Sequence, residues 1–216
     1  MSEIRLIARL MKQKDVDEVM NLHHLLFPIK YSKDTIASFL NGSFTSILLT
    51  KIENGIEEII GVSTSYQRRK FYIFGELEGY LSTFGIHPSM RQHGLGTDLL
   101  KITAFVMCRR FHCLCMTLDV QAINTIACKF YSKFGFKLIH ENPNYYSFTG
   151  DASKALYLRY DLNESTSTLD IQNKIEFADD LKAIFTPDLS SRNHTAMWFI
   201  VFLIVTILLL VIKIMK

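Results

Sequence analysis

The sequence has no charge block. Its 24 basic and 21 acidic residues leave a net charge of +3, spread along the chain, so there is no electrostatic footprint for nucleic acid. It has no disulfide framework either: Cys108, Cys113, Cys115 and Cys128 all fall in apolar segments, which suits a reducing compartment. His112, Cys113 and Cys115 form the one grouping with metal-ligand chemistry. The two thiols sit at i, i+2 in an apolar strand pattern, which turns both into a core, so packing is expected and no metal. The opening "MSEIRLIARLMKQKDVDEVM" has no uninterrupted apolar region, and a signal peptide is not expected. Internal repeats are missing, as are the Gly-x-Gly-x-x-Gly fingerprint of dinucleotide folds and the Gly-Lys-Ser/Thr loop of nucleotide triphosphatases.

What is present is a high hydrophobic fraction, 49% of 216 residues, concentrated at one end. From Ala196 to Ile212 the sequence "AMWFIVFLIVTILLLVI" carries no charge and a single hydroxyl, Thr206. At 1.5 Å per residue this gives roughly 25 Å of helix, close to the ~30 Å of a hydrocarbon core. Trp198 lies near one edge and Lys213 and Lys216 near the other, as interfacial anchors do. A transmembrane helix over 196–213 is expected, with the folded part in the cytosol as in a tail anchor. The sequons at Asn41, Asn163 and Asn193 would then stay unused.

The remainder reads as a single α/β domain over 1–162, followed by a polar and acidic linker or stalk over 163–195. "EIRLIARL" has strand character, and Val16–Leu26 carries helical spacing. "TSILLTKI" and "EEIIGVSTSYQ" form a hairpin around "ENG". A further strand ends near Ile86, where Pro88 stops it. Gly94–Met107 is helical, "CLCMTLDV" is an apolar strand of the buried parallel kind, Thr125–Phe134 is helical, and "KLIHE" and "ALYLRYDL" are closing strands. This order predicts a mixed sheet of six or seven strands flanked by helices. Beyond Leu162, the residues Ile171, Ile175, Ala178, Leu181 and Phe185 make one weak helical face.

Chemistry is concentrated in "MRQHGLGTDLLK", Met90–Lys101. A strand end is followed by Arg91-x-x-Gly94-x-Gly96 and an amphipathic helix. The free N–H groups and positive dipole end of such a helix, with glycines that remove Cβ atoms, are suited to an anion such as pyrophosphate. About thirty residues later comes "LDVQAINTIACKFYSKFGF", in which Asn124 opens a helix that ends at Phe130-Tyr131-x-Lys133-x-Gly135-Phe136. In this order and spacing the two motifs resemble the GNAT acetyltransferase superfamily over roughly residues 3–161. The resemblance implies acetyl-CoA as co-substrate. Its pyrophosphate would lie on the amides of Gln92, His93, Gly94, Leu95, Gly96 and Thr97, beside Arg91. Its pantetheine arm would lie between splayed strands ending at Ile86 and Val120, in contact with Asn124. Tyr131 would stand near the sulfur as the acid that protonates the departing thiolate.

A narrower resemblance, to N-terminal acetyltransferases of the NatE and NatF types, comes from "LLFPIKYSKD", "GYLSTFGI" and "PNYYSF". It implies that Phe27, Pro28 and Ile29 wall an apolar pocket for a Met-apolar N-terminus. Tyr31, Tyr145 and Tyr146 would hold the peptide backbone, and Tyr80 would serve catalysis. One position departs from the pattern: where these relatives carry Leu-His-Val, this chain has "LDV", with Asp119. An α-amino group titrates near 8, so on the order of a tenth of it is neutral at pH 7, and water relay to a carboxylate or to Tyr80 is enough help. The expected activity is therefore transfer of acetyl to protein N-termini. The alternatives are a lysine or small-amine acetyltransferase and a non-catalytic acyl-CoA-binding adaptor. The NatF likeness implies a Golgi or endoplasmic reticulum membrane; a short, basic-ended span also suits the mitochondrial outer membrane.

Overall fold

A computed structural model describes residues 4–69, 75–146, 154–162 and 169–185. The chain divides into two compact units, Met1–Ile184 and Phe185–Lys216. Apart from Phe185, the second unit, with the span expected over 196–213, lies outside the described residues. No helix among the described residues is long and apolar enough to cross a membrane.

The first unit opens with β1 (Arg5–Leu10), α1 (Val16–Leu26) and α2 (Lys33–Ser38), then β2 (Phe44–Glu53), β3 (Ile56–Arg69) and β4 (Leu77–Ile86). It continues through α3 (Leu95–Phe111), β5 (Cys115–Gln121), α4 (Thr125–Phe134), β6 (Lys137–Asn142) and β7 (Ala155–Asp161), and closes with β8 (Ile175–Phe177) and α5 (Asp179–Phe185). The strands form one sheet in the order β6-β7-β5-β4-β3-β2-β1-β8. Two pairings are parallel, β4 with β5 and β1 with β8, and the rest are antiparallel. The fold is thus the mixed α/β sheet expected, but with eight strands rather than six or seven. The additional strand lies where a helical face had been read. Ile175–Phe177 instead lies along β1, and only residues 179–185 are helical. Three residues are too few to establish a period of two, and sheet pairing with β1 overrides the helical spacing.

Two clusters of buried side chains among the described residues pack on the sheet. On one face, Val16, Val19 and Leu22 of α1 pack with Ile36, Phe39, Leu48, Ile59 and Val62. Each buried aliphatic side chain in this group contributes about 2 kcal/mol. Leu100, Ala104 and Met107 of α3 gather with Leu81, Met116, Leu118, Tyr131 and Phe136 in the second core. Cys113 and Cys115 are both buried, as their spacing implied. α3 runs beyond Met107 to Phe111 and ends at His112, whose φ of +53° turns the chain while its N–H donates to the Cys108 carbonyl. α4 ends as expected at Gly135, φ +117°, a left-handed stop that a Cβ would penalise.

One buried group in the first core lacks a hydrogen-bond partner. His23 has no solvent exposure, neither ring nitrogen is paired, and its ring lies 5.0 Å from that of Phe27 and 5.6 Å from that of Tyr31. Burial pulls its pKa down to about 4. The folded state therefore holds His23 neutral at a pH where the unfolded chain protonates it. Its contribution is complete above pH ~6.5 and is lost as pH falls toward 4, about 2 kcal/mol of it by pH 5. The stability difference between the wild-type chain and His23→Phe, followed by chemical unfolding at pH 7 and pH 5, is expected to shift by that amount against the wild type. An unchanged difference would mean that the folded state protonates His23 freely.

Candidate active site

The sheet opens between its two central parallel strands. β4 and β5 pair only over Glu78–Tyr80 and Cys115–Thr117. Beyond Tyr80, β4 continues to Ile86 and β5 to Gln121 without further pairing to each other. A bulge contributes to the divergence: Thr64 of β3 faces Thr83, and Ser65 faces Leu81, so Ser82 is an extra residue in β4. Bulges bend and twist the strand that carries them. The gap that results is a cleft of about 520 Å³.

Most of the site residues expected from the sequence meet in that cleft. Phe27, Pro28, Ile29 and Tyr31 come from the loop after α1, and Tyr80 from β4. Asp119 is on β5, Asn124 and Tyr131 lie at the start and in the body of α4, and Tyr145 and Tyr146 follow β6. The loop is pinned locally. His24 Nε2 is 2.9 Å from the Tyr31 carbonyl, and Lys30 Nζ donates to the Phe27 carbonyl at 3.1 Å. Ser32 then caps α2 by accepting from the Thr35 N–H, which fixes where the loop ends.

At the centre, the Tyr80 hydroxyl donates to Asp119 Oδ2 at 3.0 Å and lies 3.1 Å from the Tyr145 hydroxyl. Tyr146 donates to the Asp119 carbonyl at 3.2 Å. Burial pushes the Asp119 carboxyl above the usual carboxylate range, against the opposing pull of the Tyr80 hydrogen bond and the Arg68 charge. Burial also raises the Tyr80 phenol, assisted by the Tyr145 hydrogen bond and the Asp119 charge. The two roles therefore separate. Tyr80 keeps its proton, while the Asp119 carboxylate is able to accept one. Tyr131, buried in the second core and raised chiefly by desolvation, likewise holds its proton at neutral pH. Two other imidazoles have partners of their own: His87 lies 2.7 Å from Ser89 Oγ, and His140 stacks on Tyr157 at 4.6 Å.

Arg68 and Glu78 were not anticipated. The Arg68 guanidinium lies 4.2 Å over the Tyr80 ring, pairs with the buried Glu78 carboxylate and donates to the Tyr157 hydroxyl at 2.9 Å. Glu78, Thr117 and Tyr157 stand 10, 49 and 89 residues from Arg68 in sequence, so no local pattern could have revealed the cluster. Tyr66 also faces the cleft, and its ring centroid is 5.2 Å from that of Tyr80. Alternation along β3 was its only sequence signal.

The second half of the site follows β4. Ile86 ends the strand and its carbonyl accepts from Arg91 Nε at 3.1 Å. Gln92 and Gly94 have φ of +66° and +79°, and α3 begins at Leu95, with Gly96 and Thr97 in its first turn. Left-handed backbone at Gly94 is strained for any residue with a Cβ, and here a Cβ would also lie 2.7 Å from Gln172 Oε1. Arg91, Gln92, His93, Gly94, Leu95, Gly96 and Thr97 therefore form the turn and helix start expected, with the α3 N-terminus supplying unpaired amides. None of the seven lines the cleft itself. Asn124, at the edge of the cleft, caps α4 by accepting from the Ala127 N–H at 3.1 Å. Among the described residues no grouping of three His, Cys, Asp or Glu side chains could hold a metal.

Known proteins are similar to this chain in sequence and in fold. An uncharacterized N-acetyltransferase of Methanocaldococcus jannaschii is 24% identical over 150 residues, covering 68% of this chain and 88% of that protein. Among solved structures, Arabidopsis thaliana NAA60 in complex with a bisubstrate analogue superposes with a TM-score of 0.66 at 20% identity, over 73% of this chain and 99% of that one. Arabidopsis thaliana Naa50 in complex with the bisubstrate analogue CoA-Ac-MVNAL gives 0.59 at 24% identity, over 72% and 97%. These likenesses show the fold. The sequence profile of the Acetyltransferase (GNAT) family matches residues 16–136, more than half of the chain and all of the segment from α1 through the parted strands to the end of α4, and the protein belongs to that family.

Proposed function

We propose that the protein transfers acetyl from acetyl-CoA to the α-amino group of protein N-termini, preferring Met followed by an apolar residue, in the manner of the NatE and NatF enzymes. The observation that carries this reading is the convergence on one cleft of an apolar wall (Phe27, Pro28, Ile29) with hydroxyls from Tyr31, Tyr80, Tyr145 and Tyr146 around Asp119. Such a site grips any backbone and sorts side chains by apolarity. The solved neighbours carrying bisubstrate analogues or acetyl-CoA support the same division of labour.

In this reading the pyrophosphate lies on the Gln92–Thr97 turn beside Arg91, and the pantetheine arm passes Ile86 and Asn124 through the gap between β4 and β5. The neutral amine attacks the thioester carbonyl directly, forming the C–N bond. Its proton leaves through water to Asp119, which Tyr80 orients. As the C–S bond breaks, Tyr131 gives its proton to the sulfur, acetyl-peptide and CoA are released with no covalent enzyme intermediate, and solvent takes the proton from Asp119 and returns one to Tyr131. The apolar run over 196–213, which follows the catalytic domain and the acidic stretch, would hold the enzyme at a membrane with its cleft in the cytosol. The NatF likeness favours Golgi or endoplasmic reticulum.

The test is binding of a conjugate that joins CoA, through an acetyl bridge, to the α-nitrogen of a Met-Leu peptide. Both halves of the site would engage it, so it is expected to bind the full chain at least about a hundredfold more tightly than CoA alone, as transition-state mimics do. A conjugate joined through a lysine side chain would show much less gain. Equal affinity for the Met-Leu conjugate and CoA would remove the peptide site from the cleft.

A further inference from the structure

The segment before β8 lies outside the stretch matched by the family profile, yet it is fastened to the glycine turn. Asp98, in the first turn of α3, is completely buried. Its carboxylate accepts from the backbone N–H of Gln172 at 2.9 Å, the backbone N–H of Asn173 at 3.0 Å and Asn173 Nδ2 at 2.7 Å. The same Asn173 Nδ2 donates to the His93 carbonyl at 3.0 Å, and Lys101 Nζ donates to the Asp170 carbonyl at 2.7 Å. The Gln172 side chain lies against Gly94, with its Oε1 2.7 Å from where a Cβ would sit.

Two physical needs are met by this arrangement. A carboxylate one turn inside the α3 N-terminus would repel an anion approaching that terminus; three N–H donors instead hold the Asp98 oxygens against the strap. A turn with left-handed backbone at Gln92 and Gly94 must also be kept in one conformation if its amides are to converge on a ligand. Asn173 ties the His93 carbonyl, between those two residues, to Asp98 on the helix.

We propose that residues Asp170–Asn173 are a strap that positions the glycine turn for the pyrophosphate of acetyl-CoA, with Asp98 as its anchor and Asn173 as the positioning residue. This rests on the acetyl-CoA reading of the turn, and it gives the stretch beyond the catalytic core a part in cofactor binding. The strap leads directly into β8.

The test uses the full chain, wild type and Asn173→Ala, with CoA and with S-acetyl-pantetheine, which lacks the pyrophosphate. Asn173→Ala is expected to weaken CoA binding about tenfold and to raise the KM for acetyl-CoA similarly. Affinity for S-acetyl-pantetheine, KM for peptide, kcat and melting temperature should stay near wild type. Unchanged CoA affinity would overturn the proposal. So would a parallel loss of both ligands with a lowered melting temperature, the mark of a purely structural contact. Asp98→Asn, which puts an N–H where an acceptor is needed, should reproduce the CoA-selective loss more strongly. The wild-type chain reports separately on the underlying reading: if it bound neither ligand, the acetyl-CoA assignment would fail irrespective of Asn173.

Discussion

Asp119→Asn is expected to lower kcat about a hundredfold, the lower end of what a positioned general base contributes, with little change in KM for acetyl-CoA. The substitution keeps shape and leaves an acceptor for the Tyr80 hydroxyl at 3.0 Å, but removes the carboxylate proposed to take the proton. Because an α-amine near pKa 8 supplies a usable neutral fraction unaided, the loss stays well short of complete inactivation. The pH profile gives a second, sharper readout. Burial raises the Asp119 carboxyl, so as pH falls the wild type loses first the neutral amine and then the ionised base. Its log(kcat/KM) should steepen toward a slope of 2 on the acid side, whereas Asp119→Asn should keep the amine's slope of 1. A variant with wild-type kcat would assign proton removal to another group.

The largest stability effect is expected at Asp15, which does not line the cleft. Arg9 and Asp15 are both buried, and the guanidinium holds the carboxylate through two bonds of 2.6 and 2.9 Å, while Arg9 Nε reaches Glu57 at 2.7 Å. Burial would raise the Asp15 carboxyl, but the Arg9 side chain and the Lys12 N–H outweigh it and hold it below its usual value. Asp15→Ala leaves a guanidinium desolvated with only Glu57 to balance it, and about 4 kcal/mol should be lost. The double variant Arg9→Met, Asp15→Leu removes both charges and should recover most of that loss. Midpoints of chemical unfolding for the two variants test this; equal destabilisation would show that volume rather than charge matters at the site. A depressed carboxylate also ties stability to pH. The Asp15 contribution is present above its unfolded pKa near 4 and is lost as pH drops through the lower folded value.

How far the sequence could be read depends on how local each signal is. The bounds of α1, Val16–Leu26, follow directly from apolar spacing, and Gly135 and Asn124 mark the ends of α4 because caps are set by one residue type at one position. The ten cleft residues were found through motif resemblance, since Phe27 and Tyr145 are brought to one site by topology and not by proximity in sequence. The short α2 was missed: its six residues are fewer than two helical turns. β8 was read as helix for the same reason of length. Arg68, Glu78 and the Asp98–Asn173 contact left no trace, because burial of a charged residue is decided by partners as far as 89 residues away and composition carries no record of them.

The measurement that bears most directly on the central claim is acetyl transfer by the full chain to two peptides. One has a free Met-Leu N-terminus and no lysine; the other is blocked at its N-terminus and carries internal lysines. Mass spectrometry locates the acetyl group. Acetylation of the first peptide at its α-nitrogen, with the second left unmodified, is the predicted result, and it would show that Asp119 serves where related sequences carry histidine. Turnover on the lysines alone would contradict the N-terminal assignment, and binding of acetyl-CoA without turnover on either peptide would contradict catalysis at this cleft.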